Sequence, residues 1–192
     1  MVRSHPSELT IDPSRGLRLR LSGPADAETI TAWLSQEQVH RWWGGAPVAL
    51  EEVRAKYTGA RLPGVVVHVI ETAAGPVGLI QAWHERGRCG LDMFLAAGAQ
   101  GRGLGPVVAR ALAEELTARG WRELTVDPAV DDGRAVRAWQ RAGFVPTGER
   151  GVDGGQETEV MVFAPVAATA PGAVDRPPAV LTDGGGDRRG TP

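Results

Sequence analysis

The segment Gln100-Gly-Arg-Gly-Leu-Gly105 constrains this chain more than any other. It follows an apolar run, Gly90-Leu-Asp-Met-Phe-Leu95, and directly precedes an amphipathic stretch that begins at Pro106. A strand, a glycine-rich turn and a helix N-terminus in that order make a nest of free backbone N–H groups aimed at one point. The helix macrodipole adds positive potential there, so the natural guest is an anion, most often a phosphate. The hexapeptide lacks the Gly-Lys-Ser/Thr ending of the ATP/GTP loop, and no well-spaced acidic strand end completes a dinucleotide fingerprint. Two readings stand at this point: a cradle for a phosphate-bearing cofactor, or a plain turn.

Bulk properties narrow the class. A chain of 192 residues with 42% apolar content can bury one sizeable core. Its formal net charge of -2 argues against a nucleic-acid binder, which carries a basic surplus. A single cysteine, Cys89, excludes an internal disulfide and a thiolate-rich metal site. His5, His40, His68 and His84 are scattered without metal-ligand spacing, so no metal is expected. No apolar run is long enough to span a bilayer, and Met1 to Pro13 holds no signal-peptide core, so a cytoplasmic location off the membrane is expected. Residues 1–14 read as a flexible N-terminus. Residues 166–192, mostly Ala, Pro, Gly, Asp and Arg, read as a disordered tail that buries too little to offset its ordering entropy.

Between these ends, periodicity predicts a mixed series. Leu17 to Leu21 alternates Leu with Arg as a strand, and Asp26 caps a helix that places Ile30, Trp33 and Leu34 on one face. Helices follow at Glu37 to Trp43 and Leu50 to Tyr57. Strands at Val65 to Glu71 and Val77 to Trp83 form a hairpin through Ala73-Ala-Gly-Pro76, and Leu91 to Ala96 is the fourth strand. Val108, Leu112 and Leu116 repeat along a long helix that Gly120 ends. A fifth strand spans Arg122 to Asp127, then Asp131 or Asp132 caps a helix with Ala135, Val136, Trp139 and Ala142 inward. Strands at Phe144 to Glu149 and Glu157 to Phe163 close a 15–165 domain, with hairpins flanking one strand–helix–strand crossover.

This order, with Gln-x-x-Gly-x-Gly between the fourth strand and the long helix, resembles the GNAT superfamily of N-acetyltransferases. Asp127-Pro128 followed by Arg134-Ala-Val-Arg-Ala-Trp-Gln-Arg-Ala-Gly-Phe144 resembles the family's closing pattern of acidic turn, short helix and Gly-Phe. Four further segments resemble the aminoglycoside 6′-N-acetyltransferases: Arg41-Trp-Trp-Gly-Gly45, Glu51-Glu-Val-Arg-Ala-Lys-Tyr57, Gly75-Pro-Val-Gly-Leu-Ile-Gln81 and Gly90-Leu-Asp-Met-Phe-Leu95. The likeness spans about residues 41 to 144. It implies an α/β fold of the α+β kind. The sheet would be mixed, mostly antiparallel and six- to seven-stranded, flanked by helices, with a cleft where the fourth and fifth strands splay apart.

It also implies acetyl-CoA as co-substrate, no metal, and a small-molecule amine acceptor for a monomer or homodimer. Phe94, Leu95 and Ala96 would pair with the pantetheine arm, and an N–H near Leu95 would steady the developing oxyanion. Gln100, Gly101, Arg102, Gly103, Leu104 and Gly105 would hold the diphosphate; the other reading of Arg102 is a solvated loop arginine. Asp132 and Trp139 complete the expected coenzyme site. Asp132 stands where the family usually has asparagine, and Trp139 where many members carry a tyrosine that protonates the departing thiolate. Tyr57 is the sole tyrosine of the chain.

The resemblance makes Asp92 the candidate general base, since the aminoglycoside enzymes have an aspartate at this position and a carboxylate can anchor an incoming ammonium and take its proton. Strand alternation sets Gly90, Asp92 and Phe94 on one face, where a lone acid is costly without a purpose. An exposed edge acid is the competing reading. Asp127 would contact the cationic acceptor or cap the turn before the last helix. Trp42, Trp43, Tyr57 and Gln81 would wall the acceptor pocket, and Trp83 would sit in the wall or the core. Asp153, Glu157 and Glu159 could add negative field or form a solvated face. The connection Glu85 to Cys89 is short and arginine-rich where some aminoglycoside enzymes have a long acidic one. Two alternatives stay open: an N-acyltransferase for siderophore lysine or hydroxylysine side chains, whose branch typically has His at the place of Asp92, and a catalytically silent acyl-CoA-binding module.

Overall fold

The computed structural model describes Ser4 through Pro165; the expected tail at 166–192 lies outside the described residues. One sheet of eight strands organises the chain. Its strands are β1 (Glu8–Asp12), β2 (Leu17–Leu21), β3 (Val65–Thr72), β4 (Gly75–Glu85), β5 (Arg88–Leu95), β6 (Leu124–Val126), β7 (Phe144–Asp153) and β8 (Gln156–Phe163). They lie in the order β1-β2-β3-β4-β5-β6-β8-β7. Every neighbouring pair is antiparallel except β5 and β6, which the long helix α4 (Leu104–Ala118) joins as a parallel crossover. Helices α1 (Ala27–Leu34), α2 (Glu37–His40), α3 (Leu50–Tyr57) and α5 (Gly133–Ala142) complete the fold.

Alternation along the central strands divides the apolar residues between two cores. Ile80, Ala82, Leu91, Met93 and Leu95 face α4 and α5, where Val108, Leu112, Leu116, Trp139 and Phe144 are packed. Val67, Val69, Leu79 and Phe94 face the short helices, against Ile30, Trp33, Leu34, Val53 and Tyr57. Among the described residues, no helix is long and apolar enough to cross a membrane.

Several expectations are corrected. The N-terminus expected to be loose forms β1, which adds an eighth strand to the six or seven anticipated; Leu9 pairs with Leu19 and packs on the α4 core. Its approach is tied down as well: His68 Nε2 donates to the Pro6 carbonyl at 2.8 Å, and Trp121 Nε1 donates to the Ser4 carbonyl at 3.0 Å. These partners lie 62 and 117 residues away, so no local pattern announces them. Asp26 does not cap α1 with its side chain. It accepts from Arg20 at 2.7 Å and from the Gly23 amide at 2.9 Å. The helix expected over Glu37 to Trp43 stops at His40. The Gly45 amide closes back on the His40 carbonyl, with Gly44 and Gly45 left-handed.

Candidate active site

A cleft of about 1020 Å³ opens where β5 and β6 part. The two strands pair only at Cys89–Leu124 and Gly90–Thr125, so from Leu91 to Leu95 β5 keeps β4 on one side and has no strand on the other. Ala96 N–H bonds the Val77 carbonyl at 2.9 Å on the β4 side. By alternation, the amides of Met93 and Leu95 therefore point toward the open side. The Leu95 carbonyl also faces that way and accepts from Gln100 Nε2 at 3.0 Å, which steadies the loop that follows.

That loop is shaped by glycine. Gly101 and Gly103 have φ of 75° and 76°, a region that excludes most side chains. Gly105 lies so close to β5 that a Cβ there would stand 3.2 Å from Met93 Cε. The turn delivers the chain into α4 with Gly103 as N-cap and no side-chain cap, so the Leu104 and Gly105 amides have no partner within the helix. Pro106 has no amide to leave unpaired. Gln100 contributes differently from expectation, since its amide leans on the Ala97 carbonyl at 3.4 Å and its side chain serves Leu95.

The acceptor side is made of side chains. Asp92 stands opposite Gln81 across β4 and β5, and Gln81 Nε2 donates to it at 2.7 Å. Gln81 is itself buried, and its Oε1 has no hydrogen-bond partner. Trp83 lies across Gly90, where an added Cβ would stand 2.5 Å from the indole; glycine is what lets that ring flank Asp92. Burial pushes the Asp92 carboxyl up to about 6; the charges of Asp127 and Asp153 push the same way, while hydrogen bonds from Gln81 and Trp83 oppose. Asp127 follows β6 and remains solvent-exposed. Desolvation by its protein neighbours and then the Asp153 charge raise its carboxyl above the ordinary range, partly offset by Arg88.

The aromatic wall is held by contacts between distant segments. Trp43 packs edge-on to Phe94 at 4.9 Å between ring centres, and its indole donates to the Tyr57 hydroxyl at 2.8 Å. Trp42 points elsewhere, half-buried on the cleft wall beneath the Arg41 guanidinium at 5.0 Å. From the opposite side, the β7–β8 turn brings Asp153 and Gln156 to the same opening; Gln156 Nε2 donates to the Arg41 carbonyl at 3.2 Å.

Most residues expected at the site line this one cleft: Trp42, Trp43, Tyr57, Gln81, Asp92, Phe94, Leu95, Gln100, Gly101, Gly103, Leu104, Gly105, Asp127, Asp132 and Trp139. Ala96 and Arg102 do not. The Ala96 amide and carbonyl are taken by Val77 and Ala99, and the Arg102 side chain is exposed away from the wall. Asp132, rather than Asp131, caps α5, accepting from the Arg134 and Ala135 amides at 3.1 and 3.0 Å. Trp139 is buried edge-on against Phe144, so little of it meets the cleft. Glu157 and Glu159 pair with Arg150, and His84 packs on Trp121 on the face away from Asp92. The sequence reading passed over Arg134, Arg137 and Arg141, which line the cleft beside Asp132. Their signal was present as spacings of three and four with no acid between Gly133 and Ala142.

A splayed strand edge, an anion nest at a helix start and a carboxylate facing both define an acyltransferase architecture built for a phosphate-bearing carrier. The chain belongs to the GNAT acetyltransferases: the family's acetyltransferase (GNAT) domain matches residues 23–152. It is 30% identical over 150 residues to the aminoglycoside N(6′)-acetyltransferase type 1 of Klebsiella pneumoniae, covering 66% of this chain and 72% of that enzyme. The enzyme of the same name from Serratia marcescens matches equally. Among solved structures, AAC(6′)-Ib with paromomycin and acetyl-CoA superposes with a TM-score of 0.69 at 25% identity, over 83% of this chain and 94% of that one. The spermidine N-acetyltransferase of Vibrio cholerae with CoA and spermine shares the fold, with a TM-score of 0.63 at 22% identity over 77% and 95% of the two chains.

Proposed function

We propose that this acetyltransferase moves the acetyl group of acetyl-CoA onto a primary amine of a small polycation, an aminoglycoside-like molecule carrying a 6′-type amino group. The observation that carries the reading is the placement of Asp92, Asp127 and Asp153 around one opening, with the unpartnered Gln81 Oε1 beside Asp92. Three carboxylates and an orphaned amide oxygen form a set that wants N–H donors and positive charge.

The residues present also suit the coenzyme. The free Met93 and Leu95 amides would pair with the pantetheine arm, and Leu95 would steady the thioester carbonyl. The Gly101 to Gly105 segment and the first turn of α4 would hold the diphosphate. Bound there, acetyl-CoA supplies an activated acetyl thioester, so orientation accounts for much of the rate. Asp92 receives the ammonium proton of the acceptor; with its carboxyl near 6, it is ionised at neutral pH yet more basic than an ordinary aspartate. Asp127 and Asp153 draw and orient the rest of the cation. Trp139 offers no acidic proton to the leaving thiolate. A thiol of ordinary pKa about 8.5 takes its proton readily from water.

Thiol release from acetyl-CoA, measured against kanamycin, ribostamycin and spermidine, tests the reading. Fast release with the two aminoglycosides and slow release with spermidine is the expected result. Preference for spermidine would replace the aminoglycoside-like acceptor with a linear polyamine. Acetyl-CoA binding without release for any amine would leave a silent binding module.

A further inference from the structure

We propose that Arg134, Arg137 and Arg141 form a binding site for a phosphate monoester, the 3′-phosphate of the coenzyme's ribose, so that the enzyme distinguishes CoA from 3′-dephospho-CoA. The inference rests on the coenzyme reading given above and extends it to a part of the carrier that the glycine loop does not serve.

At about 100° per residue, the spacing places the three side chains within an arc of about 60° on α5. All three reach the wall of the same cleft that Gly103, Gly105 and Asp132 line. Several exposed cations elsewhere are matched with carboxylates, as at Arg18–Glu8, Arg54–Glu51, Arg119–Glu115 and Arg150–Glu157. Among the described residues, none of these three arginines has an acidic partner within ion-pair distance.

Their location sharpens the imbalance. Arg134 stands in the first turn of α5, and Arg137 folds back over it; its Nη1 lies 3.1 Å from where a Cβ on Gly133 would be. Cations are disfavoured at the positive end of a helix dipole, and the nearby Asp132 carboxylate is engaged as the cap of that helix. An anion is what this corner lacks. A diphosphate is already provided for by main-chain amides of the loop, whereas a phosphate monoester carries about two negative charges at neutral pH and fits the planar guanidinium fork.

Titration calorimetry with CoA and with 3′-dephospho-CoA tests this without any acceptor. The expected result is CoA binding about tenfold or more tighter than the dephospho form. In the Arg134→Gln/Arg137→Gln/Arg141→Gln variant, CoA affinity should fall to that of 3′-dephospho-CoA, whose own binding barely changes. Arg137→Gln alone should close part of the gap, which keeps the test open should the triple variant fold poorly. Equal binding of the two ligands by the unaltered protein would overturn the site while leaving the coenzyme reading intact. So would an equal loss for both ligands in the variants, which would assign the arginines to the diphosphate. No binding of either ligand would overturn the coenzyme reading and this site together.

Discussion

The two halves of the cleft are built from different materials. On the half proposed for the coenzyme, the exposed groups are main-chain amides of Met93, Leu95 and the first turn of α4, with a row of arginines beside them. On the half proposed for the acceptor they are side chains from five separate segments: Trp42 and Trp43, Gln81, Asp92, Asp127, and Asp153. The first half is basic and shaped by glycines; the second is acidic and lined by aromatics. A backbone site depends on φ and ψ, so it withstands side-chain change but not loss of a glycine. A side-chain site can be re-aimed by single substitutions while the fold stays fixed. The difference explains how one scaffold keeps its carrier while its acceptor varies.

The largest expected effect breaks the acceptor half alone. Asp92→Asn should lower kcat by about a hundredfold or more, as expected for loss of a general base, while CoA affinity measured by calorimetry stays within about twofold. A matched loss of coenzyme affinity would show that the halves are not separable. Breaking the other half should do the reverse. Gly103→Val forces a branched side chain to a φ of 76°, a strain of about 1–3 kcal/mol. The KM for acetyl-CoA should rise about tenfold, with the kanamycin KM little moved.

A smaller effect is expected from the charges at the acceptor opening. Asp127→Asn with Asp153→Asn should raise the kanamycin KM about fivefold at low salt and less at high salt, since exposed charges are screened. The same pair should shift the acid limb of kcat/KM downward. In the unaltered enzyme that limb should rise through about pH 6 as Asp92 ionises; removing two neighbouring negative charges makes ionisation easier.

The subtlest test concerns stability. The folded carboxyl of Asp92 is raised, so its contribution favours the folded state below the unfolded pKa near 4 and is lost as pH rises through about 6. Asp92→Asn should therefore stabilise the protein at pH 8 by about 1–3 kcal/mol and leave it nearly unchanged at pH 4. Denaturant melts at the two pH values check this. A variant equally destabilised at both would mean that Asp92 holds the strand pair together rather than serving chemistry.

How far the site was legible follows the same division. The glycine loop was legible because its information is local: consecutive residues prescribe the turn, the helix start and the amides they expose. The resemblance singled out Asp92, and strand alternation fixed the face of β5 on which it meets the cleft. Gln81 as its partner required the register of β4 against β5, and the unpartnered Oε1 could not have been inferred from composition. Which aspartate caps α5 was open in the sequence, since Asp131 and Asp132 both stand at its start; the contacts of Asp132 show that it does. Ala96 was misjudged because its neighbours alternate correctly while its amide is taken by Val77, 19 positions earlier in the chain.

The sequence by itself determined most of the elements from Leu17 onward and their order, because hydrophobic period, glycine placement and proline act over a few residues. It determined the glycine turn into α4 for the same reason. Tertiary structure alone decided that Glu8–Asp12 joins the sheet, that Trp42 and Trp43 part company, and that Asp153 arrives beside Asp92 from the far end of the chain. Those outcomes depend on contacts between segments tens of residues apart. Such contacts form only where the sheet order and two packed cores bring the segments together.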